Sequence, residues 1–324
     1  MTRDSSRRQF LGRAAAGLAL ASLAARPREA TAALAAGRRK FTMDLTPGAI
    51  GVGGPLPKVI ELAHAHGFES VAPDVGYLAK LSDAENDALL ADLKAKGLVW
   101  GAAGLPVDFR GAEDAYQKGL EALPAQAKAL RRAKVTRVGT WIRPAHESLT
   151  YQANFVQHAN RLRAIATILD DHGLRFGLEY VGPKTSWTAG KYAFVHTLAE
   201  QLELIAAIHR ANVGVVLDSW HWYTAGEGVD DLRKLKNEQV VACDLNDAPK
   251  GLAVDQQMDL KRDLPLATGV IDLKAFLGAL VDIGYDGPVR AEPFKAELRT
   301  MPPDEAVAVT AKAMKAAFAL VDGA

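Results

Sequence analysis

An α/β chain closed into a (β/α)8 TIM barrel is the fold this sequence predicts, on three observations. From Phe41 to Val321 short apolar runs alternate with amphipathic helical stretches, and eight such units in about 280 residues match the size and period of that barrel. No Gly-x-Gly-x-x-Gly turn follows the first apolar run, as a dinucleotide-binding open sheet would require. No low-complexity linker divides the region either, so residues 39–324 read as one catalytic domain.

Each unit has its own signals. Phe41 to Leu45 is the first strand, and Leu56 to His66 carries Val59, Ile60, Leu62 and Ala63 at helical spacing before Gly67 closes it. Phe68 to Pro73 is the second strand. Ser82 with Glu85 three residues on forms a capping box for a helix reaching Lys96. Leu98 to Ala103 is the third strand, followed by a long helix within Ala112 to Ala133. Val135 to Trp141 and Thr150 to His172 make the fourth unit, which Gly173 ends. Arg175 to Glu179 is the fifth strand, with Val195 to Ala211 as its helix. Val213 to Asp218 is the sixth, nearly all Val and Leu as befits a strand covered on both faces. A short helix around Val229 to Leu235 leads to the seventh strand, Val240 to Leu245. The aperiodic stretch from Asn246 to Gly269 is the longest loop, and Ile271 to Ile283 restores a helix. Gly287 to Glu292 is the eighth strand, and Pro303 to Val321 closes the barrel with proline at its start.

Composition narrows the partners. Of 324 residues 49% are apolar and 24% charged, which supports a packed core and excludes disorder. The first 40 residues carry nine basic and two acidic side chains, and the rest is acidic by six charges with no basic tract; nucleic acid is not an expected partner. The single cysteine, Cys243, excludes an intrachain disulfide and a thiolate metal cluster. At the N-terminus, Ser5-Ser6-Arg7-Arg8-Gln9-Phe10-Leu11 precedes a weakly apolar run from Ala14 to Ala25. That run is shorter than the roughly 20 residues of a membrane span and suits a signal peptide. Its paired arginines resemble a twin-arginine signal, which implies the twin-arginine translocase as a partner and export, to the periplasm, of a protein already folded around its metal. Residues 1–38 are read as that signal and a short linker.

Acidic residues end four consecutive apolar strands: Glu179, Asp218, Asp244 and Glu292. A TIM barrel keeps its chemistry at the C-terminal ends of its strands. Four acids at one level of a dry site repel one another unless a cation lies among them, and an all-oxygen set favours Mn²⁺ or Mg²⁺ over Zn²⁺. The alternative is that each acid caps the next helix or pairs with a core lysine.

Leu178-Glu179, Leu217-Asp218-x-x-His221, Asp244-Leu245-Asn246-Asp247-Ala248-Pro249 and Ala291-Glu292-Pro293-Phe294 together resemble the sugar isomerase and epimerase superfamily with xylose isomerase-like TIM barrels, over essentially Phe41 to Val321. The resemblance implies one divalent metal held by Glu179, Asp218, Asp244 and Glu292, with Asp244 standing where a histidine is common. It implies an enediolate chemistry in which Glu179 and Glu292 exchange a carbon-bound proton from opposite faces of a sugar or keto-sugar. His221 is expected to contact a substrate oxygen, or to become a ligand if Asp244 does not serve, and Lys250 falls near where relatives place a substrate-binding cation. Trp141, Trp187, Trp220, Trp222 and Tyr223 are expected to pack against sugar C–H edges. Lys184, Lys295 and His146 also follow active-face strands, and the sequence leaves open whether Lys184 or a water beside Asp247 completes the proton route.

Three activities fit these residues. The favoured one is an exported metal-dependent isomerase, epimerase or lyase of free or glycosidic sugars, 3-keto forms included. The others are a metal-dependent hydrolase of the abasic-endonuclease-like branch and a noncatalytic sugar-binding barrel.

Overall fold

Eight parallel strand positions close into a barrel whose third member is broken in two. The computed structural model describes residues 39–322; the signal expected over residues 1–38 lies outside them. The sheet contains Thr42–Leu45, Ser70–Val71, Val99–Trp100, Ala103–Gly104, Arg137–Trp141, Arg175–Glu179, Val213–Asp218, Val240–Leu245 and Pro288–Ala291, and its neighbouring strands all pair in parallel. Val99–Trp100 pairs with Ser70–Val71, while Ala103–Gly104 pairs with Arg137–Trp141. One chain path thus joins both ends of the sheet through Gly101 and Ala102. The expected strand from Leu98 to Ala103 splits because an Asp44 carboxylate sits against it: a Cβ on Gly101 would lie 2.2 Å from Asp44 Oδ1. Only glycine lets the backbone pass.

Helices cover the outside and bury the main core against the sheet. The capping box at Ser82 and Glu85 forms and starts the helix Asp83–Ala95. Thr150 caps Tyr151–Asp171, and Thr197 caps Leu198–Ile208, delaying its start by three residues relative to the apolar pattern. A smaller cluster of Ala102, Val216 and Ala242 lies apart from that core. Val216 and Ala242 stand two residues before Asp218 and Asp244, so the alternation of a strand puts these acids on the same face, one layer higher. Strand register aligns that layer laterally: Asp44 is opposite Arg290, Arg290 opposite Asp244, and Asp244 opposite Asp218.

The aperiodic loop from Asn246 to Gly269 is anchored by Asp247. Its carboxylate accepts backbone N–H bonds from Ala248, Thr268, Gly269, Val270 and Ile271 at 2.7–3.2 Å, and these hold its acidity stronger than usual despite burial. Asp247 is therefore a loop anchor. Among the described residues no helix is long and apolar enough to cross a membrane.

Candidate metal centre

Glu179, Asp218, Asp244 and Glu292 arrive at one point. Each offers a carboxylate oxygen, and these atoms all lie within 4.8 Å of one another. The strands supply this convergence: Glu179, Asp218 and Asp244 end or nearly end theirs, and Glu292 follows directly on Pro288–Ala291. Asn246 laces the ends together, its Nδ2 donating to Asp218 Oδ1 at 3.0 Å and its Oδ1 accepting the Glu292 N–H at 2.8 Å.

Burial sets the electrostatics. Desolvation, reinforced by Glu292, Asp244 and Asp218, holds the Glu179 carboxyl well above the usual range. Desolvation and the nearby Asp244 push Glu292 up to about 8. Asp218 rises to about 6, desolvation again leading, while Arg262, the Trp220 N–H and Asn246 oppose it. Glu179 Oε1 is buried and has no hydrogen-bond partner. A fully buried carboxylate oxygen without a donor, surrounded by three other carboxylates, suits a hard divalent cation, so this is a divalent-metal-binding cluster. Its oxygen donors alone leave the choice among Mn²⁺, Mg²⁺ and Zn²⁺ open.

The helix-capping alternative holds for Asp218 as well, since Oδ1 accepts the Trp220 N–H at 2.7 Å. The counter-ions are arginines rather than lysines. Arg262, from the long loop, donates through Nη1 to Asp218 Oδ2 at 2.7 Å and Glu292 Oε2 at 3.1 Å, and through Nη2 to Asp259 Oδ1 at 2.8 Å. Arg290 takes both oxygens of Asp244, Nε on Oδ1 and Nη2 on Oδ2.

His221 lies against the same centre, with Nε2 3.8 Å from Asp218, 3.9 Å from Glu179 and 4.0 Å from Asp259. Its Nδ1 accepts the Gly182 N–H at 3.2 Å. That assigns the proton of the neutral ring to Nε2. Burial and then Arg262 push its pKa down to about 3, so the ring is neutral. Arg262 Nη2 lies 3.2 Å from Nε2. Gly182 is required for this contact, because a Cβ would meet His221 O at 2.5 Å.

The remaining expected residues divide. Lys250 is exposed. Lys184 reaches Asp255 at 3.5 Å, and Lys295 pairs with Asp263. Trp220 is fully buried, Trp222 is buried with its indole donating to Gly228 O, and Trp187 stacks on His196. Trp220 and Trp222 are packing residues, which corrects the expectation that they stack on a sugar, whereas Trp187 is partly exposed and lines a cavity of about 340 Å³ with Lys184 and Asp255. Trp141 is 42% exposed, carries Arg110 over its ring at 4.2 Å, and lines a cavity of about 370 Å³ with Arg143, His146 and Asp259. A larger cleft of about 540 Å³ opens around Arg39, Phe41 and Glu69, at the starts of the strands, and none of the four carboxylates lines it. Cys243 is buried, and burial pushes its thiol up, leaving it inert.

Known proteins agree with this architecture. Residues 60–317 match the family described as xylose isomerase-like TIM barrel. Inosose isomerase of Bacillus subtilis is 30% identical over 155 residues, 47% of this chain and 51% of that protein; the chain spans about half the length of the curated relatives it matches. A 3-dehydroshikimate dehydratase of Pseudomonas aeruginosa is 30% identical over 146 residues, 44% of this chain and 22% of that protein. Among solved structures, a xylose isomerase domain protein from Alicyclobacillus acidocaldarius superposes with a TM-score of 0.74 at 32% identity, covering 87% of this chain and 100% of that one. The IOLI protein with a bound zinc atom shares the fold with a TM-score of 0.71 at 21% identity, covering 86% and 98%. With four-fifths of its length matched and the strand-end carboxylates in place, the chain belongs to the xylose isomerase-like TIM barrel family.

Proposed function

We propose that this protein is a divalent-metal-dependent isomerase, epimerase or lyase that removes a proton from the carbon beside a carbonyl in a sugar or keto-sugar. The observation that carries the reading is the pairing of buried Glu179 with partly buried Glu292 across a cation-binding cluster, desolvation raising the first carboxyl well above the usual range and the second to about 8. A general base or acid works best when its pKa lies near the working pH. Glu179 would take or return the proton with its unpartnered Oε1, and Glu292 would serve the opposite face. His221 Nε2 faces the carboxylates, 3.8 Å from Asp218 and 3.9 Å from Glu179, and its N–H would donate to a carbonyl oxygen gaining negative charge there. The Trp141 face and the adjoining cavity offer a platform for an uncharged ring.

The cluster of Glu179, Asp218, Asp244 and Glu292 is where the cation would sit, and when bound it adds positive charge beside the substrate oxygens. The relatives' names, inosose isomerase and 3-dehydroshikimate dehydratase, support a cyclic polyol or keto substrate. Solvent-deuterium incorporation at a substrate carbon tests the reading, since a hydrolase or a noncatalytic binder exchanges no C–H proton.

Export belongs to the same proposal and rests on Arg7-Arg8 ahead of the run from Ala14 to Ala25. Replacing both arginines with lysine should retain precursor in the cytoplasm. A wild-type protein found wholly in the cytoplasm with Met1 intact would contradict it.

A further inference from the structure

We infer that Asp244, though part of the cluster, is withdrawn from the cation by Arg290, leaving Glu179, Asp218 and Glu292 as the anionic ligands. The inference rests on the reading that this cluster binds a divalent cation. Two arginines enter the cluster, and they are held in different ways. Arg290 is borne on a barrel strand, opposite Asp244 in register, and its Nε and Nη2 take both Asp244 oxygens, the second at 2.9 Å. This side-on fork is the strongest arrangement a guanidinium makes with a carboxylate. The Asp244 side chain is fully buried and that of Arg290 19% exposed, so water does little to loosen the pair.

Arg262 instead reaches in from the loop between Asn246 and Gly269. It gives one nitrogen, Nη1, to single oxygens of Asp218 and Glu292. Its Nε and Nη2 stay on Asp259, a partner that keeps it neutralised if Nη1 lets go. A cation arriving among the carboxylates can therefore take the Asp218 and Glu292 oxygens from Nη1 while Arg262 keeps Asp259 and the Glu292 carbonyl as partners. The Asp244–Arg290 fork resists, because opening it would strand a buried guanidinium beside a divalent ion. Arg290 acts as a positioning residue: it converts a fourth anion into a neutral unit and thereby sets the net charge that the cation meets.

The test uses the full-length protein and Mn²⁺ alone. Asp244→Asn/Arg290→Gln removes both charges together and keeps two amides able to bond each other. Calorimetric Mn²⁺ affinity should stay within about tenfold of wild type, whereas Asp218→Asn should lose about a hundredfold or more, since even a ligand's hydrogen-bond partner is worth about 10–100-fold. A double variant that falls as far as Asp218→Asn overturns the inference. If the double variant does not fold, anomalous scattering from Mn²⁺-loaded wild-type crystals decides: Asp244 oxygens beyond bonding distance support it, and an Asp244 oxygen bonded to manganese overturns it. Should wild type bind no Mn²⁺, the same titration is run with Mg²⁺ and Zn²⁺, and wild type that binds none of the three overturns the metal reading itself and this inference with it.

Discussion

The Gly182 N–H donates to His221 Nδ1 across 3.2 Å, and this bond makes the opposite nitrogen a donor into the carboxylate centre. His221→Ala should therefore lower turnover while leaving most of the metal bound, because the ring orients a substrate oxygen and its Nδ1 is already occupied. Metal content per chain, measured beside kcat, checks this. A His221→Ala protein that loses its metal along with its activity would make the imidazole a ligand instead.

Glu179→Gln and Glu292→Gln should each lower turnover by about 10²–10⁴-fold with metal restored, the usual worth of one proton-transfer group. An amide keeps the shape and loses the basic oxygen. Steady-state rates at saturating Mn²⁺ test each variant, and near-wild-type turnover by either one removes that residue from proton transfer.

The strand-end acids were legible because Val213 to Leu217 and Val240 to Cys243 are apolar runs that stop at a carboxylate, a pattern that specifies both a buried strand and the face where it ends. Their counter-ions were harder to read. Arg262 lies 44 positions from Asp218, in a stretch with no periodicity, and only the Asp247 anchor brings that stretch back over the site. Arg290 did leave a signal: a lone cation among Pro288, Val289 and Ala291 occupies an inward position of a buried strand and needs an anion beside it. Single-residue alternation also missed the two-residue antiparallel pair of Ala145–His146 with Tyr192–Ala193, which frames the cavity near Trp141. Segments that short carry no measurable period.

Metal affinity should rise with pH between about 6 and 8. Before the cation binds, Asp218 and Glu292 titrate near 6 and 8, so protons leave as it enters. Each competing proton makes affinity climb up to about tenfold per pH unit below the pKa it reports and flatten above it. Mn²⁺ titrations in buffers of different ionisation heat measure the protons released. A pH-independent affinity would contradict these positions.

His158 predicts a separate acid sensitivity of the fold. Burial, opposed by its hydrogen bond to Asn154 O, pushes its pKa down to about 4 from an ordinary 6.5. Between those values the unfolded chain takes up a proton that the folded chain refuses, so stability falls as pH drops through that window and is unaffected by this group above it. The loss is at most about 3 kcal/mol. Thermal unfolding of His158→Gln between pH 4 and 7 should show a shallower slope than wild type, and an unchanged slope would assign the sensitivity elsewhere.

The most direct measurement is proton exchange at carbon. Mn²⁺-loaded protein in deuterated water, incubated with a panel of free and 3-keto-sugars and cyclic ketones, should place deuterium beside the carbonyl of at least one compound. That signal should vanish on chelation and in Glu179→Gln/Glu292→Gln. Turnover of any panel member without deuterium incorporation, or incorporation that survives the double Glu→Gln substitution, would contradict proton transfer by these two carboxyls.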